Sequence, residues 1–125
     1  MIVRSRDEVR VVDWGNGTSH RFLLEADGMG FTLCHTVVAA GTKSMLQYSK
    51  HLEACYCIGG RGQVVNADGD VAYELRPGVM YALDAHDAHC LIAADDTDLE
   101  LISVFNPPLR GDERHRLSPD AFSAY

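Results

Sequence analysis

The sequence predicts an all-β fold, either a barrel or a sandwich of short strands. Apolar and polar residues alternate with a period of two along most of the chain, and almost no stretch has the helical period. Clusters of Gly, Asp, Asn and Pro interrupt the alternation and divide the chain into roughly ten strands. Short strands between frequent turns are typical of jelly rolls and barrels.

The first half of the chain alternates in five segments. The predicted strands are residues 1–4, 9–12, 20–25, 31–40 and 45–49. Ser5 and Glu8 match a capping box, which predicts one helical turn. Asp27-Gly28 predicts a hairpin turn, since this dipeptide suits the positive φ of such turns.

The second half of the chain predicts six further strands. They are residues 51–60, 63–65, 71–75, 79–83, 90–93 and 99–105. Residues 84–89 are too polar and rich in turn residues for a strand, so they are predicted as a loop. Pro107 and Pro108 end the last strand because proline cannot donate to a sheet ladder. The tail after Leu109 is polar and carries no predicted element.

Length and charge narrow the functional class. A chain of 125 residues predicts one domain, residues 1–125. The net charge of −7 disfavours nucleic acid, whose phosphates would be repelled. Neither a signal peptide nor an apolar run of membrane-spanning length is present, so we expect a cytoplasmic protein without a membrane partner. The four cysteines are then expected to be reduced thiols.

The strand at residues 51–60 has two chemically different faces. One face is apolar and consists of Leu52, Ala54, Tyr56 and Ile58. The other carries an imidazole, a carboxylate and two thiols, on His51, Glu53, Cys55 and Cys57. If the second face looks into a barrel, the interior is polar, and a polar interior suits a ligand site.

This strand and the turns around it resemble the first motif of the cupin superfamily. Gly41, Glu53 and Gly60 stand at the motif's spacings, whereas Gln47 and Ser49 replace its two histidines. The resemblance implies a cupin double-stranded β-helix, a jelly-roll barrel with one or two short helical turns and a metal in its mouth.

The second cupin motif is also present in part. Gly78 and His89 match it, whereas Asp84 and His86 replace its proline and glycine. One carboxylate and one imidazole of the usual ligand set therefore remain.

Five blocks in register give a more specific resemblance, to the ectoine synthase family. The blocks are Met1-Ile2-Val3-Arg4-Ser5, Asp27-Gly28-Met29-Gly30-Phe31, His51-Leu52-Glu53-Ala54 with Tyr56-Cys57-Ile58, Pro77-Gly78-x-Met80-Tyr81-Ala82-Leu83-Asp84-x-His86-Asp87-x-His89, and Val104-Phe105-Asn106-Pro107-Pro108-Leu109-x-Gly111. Members of this family are small dimeric cupins that close N-acetyl-2,4-diaminobutyrate into the cyclic amidine ectoine with loss of water. Their ferrous iron is held by a Glu, a Tyr and a His, so the resemblance implies Glu53, Tyr81 and His89 as ligands of Fe(II) or another divalent transition metal.

The resemblance also implies the residues around a small-molecule substrate. Arg21 would pair with the substrate carboxylate, and the other predicted pocket residues are Trp14, Thr36, Ser103 and Phe105. Proton transfer would fall to Tyr48, His51, Glu113 or His115, with no choice among them. The sequence departs from the family at three of the pocket positions. The family usually has a tryptophan where this chain has Gly17, and Trp14 can substitute for it. It usually has an asparagine at Cys34 and a cysteine at Ser103.

Three functional hypotheses remain open on the sequence. The first is a metal-dependent ectoine synthase that forms a homodimer and serves compatible-solute biosynthesis. The second is a related cupin whose altered pocket takes another small acylated amino acid or amide. The third is a non-catalytic cupin that binds a ligand or only dimerises. Metal binding separates the third from the others, and product formation separates the first from the second.

Overall fold

The computed structural model describes residues 1–125, and its eleven strands form two sheets. In chain order the strands are β1 (Arg10–Asp13), β2 (Gly17–Leu23), β3 (Thr32–Val38), β4 (Lys43–Gln47), β5 (Leu52–Gly59), β6 (Gly62–Asn66), β7 (Ala72–Leu75), β8 (Met80–Leu83), β9 (His89–Ala93), β10 (Leu99–Asn106) and β11 (Ser123–Ala124). The chain contains no helix with the length and apolar character that crossing a membrane requires.

The sheet order is that of a jelly roll. One sheet has the order β1-β2-β3-β10-β5-β8, and the other has the order β11-β4-β9-β6-β7. From β3 to β10 each strand passes to the opposite sheet, except at the β6-β7 hairpin. The predicted all-β jelly-roll barrel is therefore confirmed, and its two sheets enclose one interior.

Strand β5 keeps the predicted alternation, and its polar face is the buried one. Glu53 is 6% exposed and Cys55 is 1% exposed, whereas Leu52, Tyr56 and Ile58 are 41–48% exposed. This arrangement reverses the usual one, in which the apolar face of a strand is buried. The interior of the barrel is consequently polar at this strand.

Two apolar clusters fill the space on either side of this polar region. The larger one includes Leu75, Leu99 and Leu101, and the smaller one contains Tyr48, Leu83 and Phe105 among its members. Tyr81 packs against both clusters and therefore lies between them.

The prediction for the N-terminal segment is wrong in two details. Residues 1–4 do not form a strand; Arg4 is held instead by an ion pair with Asp27 at 2.7 Å and by donation to the Phe22 carbonyl. The Glu8 carboxylate accepts from the Ser5 N–H at 2.6 Å as the capping box predicts, but the segment forms a turn and not a helix.

Two further local predictions differ from the structure in detail. Asp27-Gly28 does lie in the connection between the antiparallel strands β2 and β3, but this connection is longer than a two-residue hairpin turn. Glu25–Asp27 is a 3-10 turn within it, and Gly28 at φ 71° ends that turn in the left-handed region that favours glycine. This turn is the chain's one helical element. The tail beyond Leu109 does contain an element, because β11 adds to the edge of the second sheet beside β4.

Candidate functional site

A cavity between the two sheets collects most of the predicted site residues. Eight of them line it, namely Trp14, Arg21, Thr36, Tyr48, Glu53, Tyr81, Ser103 and Phe105. The other four, His51, His89, Glu113 and His115, do not line the cavity surface. His89 and His115 are nevertheless buried, and both contact cavity residues.

Strand register explains why residues distant in sequence meet here. Directly paired residues of neighbouring antiparallel strands project to the same face of a sheet. One such row crosses five strands, from Arg21 through Cys34, Ser103 and Cys55 to Tyr81. The row links the predicted substrate anchor to a predicted metal ligand.

Glu53 is a buried carboxylate without a cationic partner. It makes no salt bridge, and burial raises its pKa from the ordinary 4.5 to about 8. An ionised carboxylate in such a place is costly unless a cation accompanies it. A bound divalent ion would supply that charge.

His89 presents a free nitrogen inside the barrel. Its Nδ1 lies 2.9 Å from the Asp87 carbonyl oxygen, and its Nε2 is buried without a hydrogen-bond partner. Because a carbonyl only accepts, Nδ1 carries the proton and Nε2 offers a lone pair. Metal-ligating histidines typically have this arrangement, in which a carbonyl fixes the tautomer.

The third predicted ligand is a phenol. The Tyr81 ring centroid lies 6.2 Å from that of His89, and Tyr81 shares the cavity wall with Glu53. No group of three or more His, Cys, Asp or Glu side chains is placed to hold a metal, so a three-ligand site here needs a donor of another kind, and the Tyr81 phenol offers one. Two oxygen donors and one imidazole suit a divalent first-row transition metal, and the residues therefore fit the ion that the sequence predicts.

The burial of Glu53 predicts a pH-dependent stability of the metal-free protein. Its pKa in the fold, about 8, is above the ordinary 4.5, so folding favours the protonated form. This contribution is complete below pH 4.5 and is lost as the pH rises through 8. We expect the melting temperature of metal-free protein to fall over this range and to recover when a divalent metal is added.

The matched variant for this measurement is Glu53→Gln, which keeps the side-chain volume and cannot ionise. We expect its melting temperature to lack that fall. If the variant and the wild type have the same pH dependence, Glu53 does not carry the effect.

One guanidinium nitrogen of Arg21 has no hydrogen-bond partner. The side chain is buried; Nε donates to Ser19 Oγ at 3.2 Å, and Nη2 donates to the Glu113 carbonyl at 2.5 Å. Nη1 has no hydrogen-bond partner, and the Glu113 carboxylate oxygen is 3.7 Å from it. A buried, charged donor without an acceptor suits a carboxylate ligand.

A chain of small polar side chains connects the two ends of the cavity. The Thr36 hydroxyl lies 2.9 Å from Ser103 Oγ, which lies 3.3 Å from the Cys55 thiol. Cys55 precedes Tyr81 in the cross-strand row, and burial raises the pKa of its thiol. The thiol is therefore a neutral group at the cavity wall and not a thiolate.

Tyr48 and His115 form a buried pair. His115 Nε2 lies 3.1 Å from the Tyr48 hydroxyl, and His115 Nδ1 lies 2.9 Å from Ser123 Oγ. Burial lowers the pKa of His115 to about 4, so the imidazole is neutral at pH 7. Burial raises the pKa of Tyr48, which keeps its phenol protonated at the cavity wall. The pair can hold and pass one proton.

The two remaining proton-transfer candidates have other partners. His51 Nδ1 lies 2.7 Å from the Pro107 carbonyl oxygen. The Glu113 carboxylate accepts from the N–H groups of Arg110 and Gly111, and these bonds hold its pKa below the usual value against the opposing effect of burial. Of the four candidates, Tyr48 alone lines the cavity.

Trp14 places an indole at the cavity, whereas the backbone leaves no room for a side chain at position 17. A Cβ on Gly17 would lie 1.9 Å from the Val37 carbonyl oxygen and 3.2 Å from Trp14 Nε1. Trp14 is buried, lines the cavity and donates from Nε1 to that carbonyl at 3.0 Å. An indole at the cavity is thus compatible with glycine at position 17.

Sequence reasoning missed two polar or aromatic residues of the cavity wall, Ser19 and Tyr125, and gave Cys55 no role beyond a place on the polar face of its strand. Ser19 shares the strand face of Arg21, so alternation could have found it. No sequence signal indicates Tyr125, because it follows a tail without a predicted element.

A family model and two relatives similar to this chain carry the same name. The family model described as ectoine synthase matches residues 1–121. An L-ectoine synthase from Desulfatibacillum aliphaticivorans is 45% identical over 121 residues, covering 92% of each chain. The L-ectoine synthase of Wolinella succinogenes is also 45% identical over 121 residues, covering 92% of this chain and 91% of the relative.

A solved structure agrees with these relatives. The crystal structure of ectoine synthase from P. lautus superposes with a TM-score of 0.82 at 42% identity, covering 89% of this chain and 81% of that one. The polyketide cyclase RemF from Streptomyces resistomycificus, at 19% identity and a TM-score of 0.73, shares the fold alone.

Proposed function

This chain belongs to the ectoine synthase family of hydro-lyases, and we propose that it closes N4-acetyl-L-2,4-diaminobutyrate into the cyclic amidine ectoine with loss of water. The single observation that carries the proposal is the family match over residues 1–121. The cavity, which eight of the twelve predicted site residues line, supports it. The product would serve as a compatible solute, made in the cytoplasm.

We propose two anchoring points for the substrate. The free Nη1 of Arg21 binds the carboxylate, and Glu53, Tyr81 and His89 hold a divalent metal, Fe(II) by the family resemblance, beside the acetyl group. Folding the substrate between the two points brings its amine to its own amide carbon. Such positioning can lower a barrier by several kcal/mol.

Ring closure forms a bond between the free amine nitrogen and the acetyl carbonyl carbon. Both hydrogens of that amine leave with the carbonyl oxygen as water, which gives the amidine. A bound metal would act as a Lewis acid that polarises the carbonyl. The Tyr48 hydroxyl, backed by His115, holds a proton at the cavity wall for the departing oxygen.

The experiment is an assay of purified protein, loaded anaerobically with Fe(II), on synthetic N4-acetyl-L-2,4-diaminobutyrate. We expect ectoine, identified by NMR, in amounts that depend on protein and metal. The Desulfatibacillum relative serves as positive control. The proposal is wrong if the control enzyme forms ectoine under these conditions, whereas this protein, folded and loaded with metal, forms none.

A second candidate function rests on the altered pocket. Cys34 and Ser103 stand side by side in the cross-strand row, where the family resemblance expects an asparagine and a cysteine. A related small acylated amino acid or amide is then the substrate. Higher kcat/KM for such a compound than for N4-acetyl-L-2,4-diaminobutyrate would favour this candidate.

We also propose that the protein is a homodimer. The outer face of the first sheet exposes an apolar patch, which we call the outer patch and which consists of Leu52, Tyr56, Ile58 and Met80. A contiguous exposed apolar surface favours association, and a second copy could cover it.

A charge in the outer patch should separate the two copies. We expect wild-type protein to have the mass of a dimer by light scattering and Met80→Asp to have that of a monomer, because a buried, unpaired carboxylate opposes association. Tyr73→Asp, on exposed β7 in the other sheet, is the matched control and should remain dimeric. A dimeric Met80→Asp would exclude this face as the interface.

A further inference from the structure

The cavity leaves too little free space for the proposed substrate. Its free space is about 30 Å³, room for about two water molecules. An acetylated diamino acid is several times larger, and pockets for small organic ligands typically measure some hundreds of Å³. One wall of the cavity therefore has to move before the substrate can bind.

Tyr125 is the wall residue with the weakest support. Most other lining residues lie on long strands that pair on both sides, such as β3, β5 and β10. Tyr125 follows β11, a strand of two residues that pairs with β4 alone, and its N–H donates to the Gln47 carbonyl at 3.3 Å. Segments with so few contacts open locally at low free-energy cost.

The Tyr125 ring closes the cavity over the predicted proton-transfer residues. Its centroid lies 4.5 Å from the His115 ring, 5.1 Å from the Tyr48 ring and 6.3 Å from the His51 ring. Removing the Tyr125 ring would therefore expose His115, Tyr48 and His51, which the sequence analysis predicts as candidates for proton transfer.

The same segment also orients one of these side chains. Ser123 Oγ accepts from the Arg116 N–H at 2.9 Å and lies 2.9 Å from His115 Nδ1. Its hydroxyl proton is thus free to be donated to Nδ1, which puts the imidazole proton on Nε2, facing the Tyr48 oxygen. The Tyr48 hydroxyl proton is then available to a group inside the cavity.

We propose that residues 123–125 form a strap that opens to admit the substrate and closes over it. Tyr125 is the wall that seals the bound substrate from water, and Ser123 is the positioning residue that fixes the His115 tautomer on closure. The identity of the occupant rests on the proposed function, whereas the opening of the strap is a property of the free protein.

The thiol of Cys55 reports opening without any need for turnover. It lines the cavity and is 1% exposed, so a small thiol reagent such as methyl methanethiosulfonate reaches it only when the cavity opens. We expect Tyr125→Ala to accelerate labelling of Cys55, followed by peptide mass spectrometry, by about tenfold or more because the aromatic contacts are lost. Tyr125→Phe should label at the wild-type rate.

Two controls make the labelling specific. Cys57 is fully buried, does not line the cavity and lies in the larger apolar cluster, against which Tyr125 does not pack, so its labelling rate should be the same in all variants. Tyr73→Ala, an equal truncation at an exposed site, should leave the labelling of Cys55 unchanged. Equal rates of Cys55 labelling in Tyr125→Ala and wild type, or a parallel acceleration of labelling at Cys57, would overturn the strap. Absence of turnover in the wild type would remove the proposed function and leave this result standing.

Steady-state kinetics test the two roles separately. We expect Tyr125→Ala to raise KM for the acetylated substrate more than it lowers kcat. Ser123→Ala should lower kcat with little change in KM, and Ser123→Thr, which keeps the hydroxyl, should restore it. An unchanged kcat in Ser123→Ala would overturn the positioning role.

Discussion

Replacing a proposed metal ligand should abolish turnover while the barrel stays folded. We expect Glu53→Gln and Tyr81→Phe, which keep volume and shape, and His89→Ala to lower kcat at least about a thousandfold, because the Lewis acid is worth several kcal/mol. Metal analysis of each purified variant should show the loss of bound iron, and circular dichroism should show the β fold retained.

Matched substitutions outside the cavity separate ligation from general effects. Glu74→Gln and Tyr73→Phe make the same chemical changes on exposed strand β7 and should retain iron and activity. A ligand variant that keeps both would remove its residue from the metal site. His89→Ala removes the most side-chain volume of the three substitutions. Glu53→Gln and Tyr81→Phe therefore test metal ligation more directly.

Replacing Arg21 should cost substrate binding and leave the metal in place. We expect Arg21→Met to raise KM about a hundredfold, the effect of losing charge-assisted hydrogen bonds worth about 3 kcal/mol. Arg61→Met is the matched control, because Arg61 makes an exposed ion pair with Asp96 and neither residue lines the cavity.

An analogue identifies the group that Arg21 recognises. N-acetyl-1,3-diaminopropane differs from the substrate only in lacking the carboxylate. Wild-type protein should discriminate strongly between the two compounds in kcat/KM, and Arg21→Met should lose most of that discrimination. If the variant discriminates as well as the wild type, another residue binds the carboxylate.

The core of the site was predictable because strand alternation is a strong constraint. A period of two places Glu53 and Cys55 on one face, and a shift of one residue would expose both. Alternation does not say which face is inside. Here the polar face of β5 is the buried one and the apolar face is exposed.

What could not be predicted depends on contacts between distant segments. Tyr125 reaches the cavity because β11 pairs with β4, across most of the chain's length, and a strand of two residues has no detectable period. The free nitrogen of His89 depends in the same way on the turn that brings the Asp87 carbonyl to its Nδ1. Neither residue propensity nor the hydrophobic pattern of the sequence indicates these two contacts.

We propose that Glu53, Tyr81 and His89 together hold one divalent ion beside a small amide. X-ray absorption of protein loaded anaerobically with Fe(II) measures the donors directly. We predict one iron per chain with a single imidazole among oxygen donors, and the loss of one short oxygen distance in Tyr81→Phe. Iron bound by two or more imidazoles, or a spectrum unchanged in Tyr81→Phe, would contradict it.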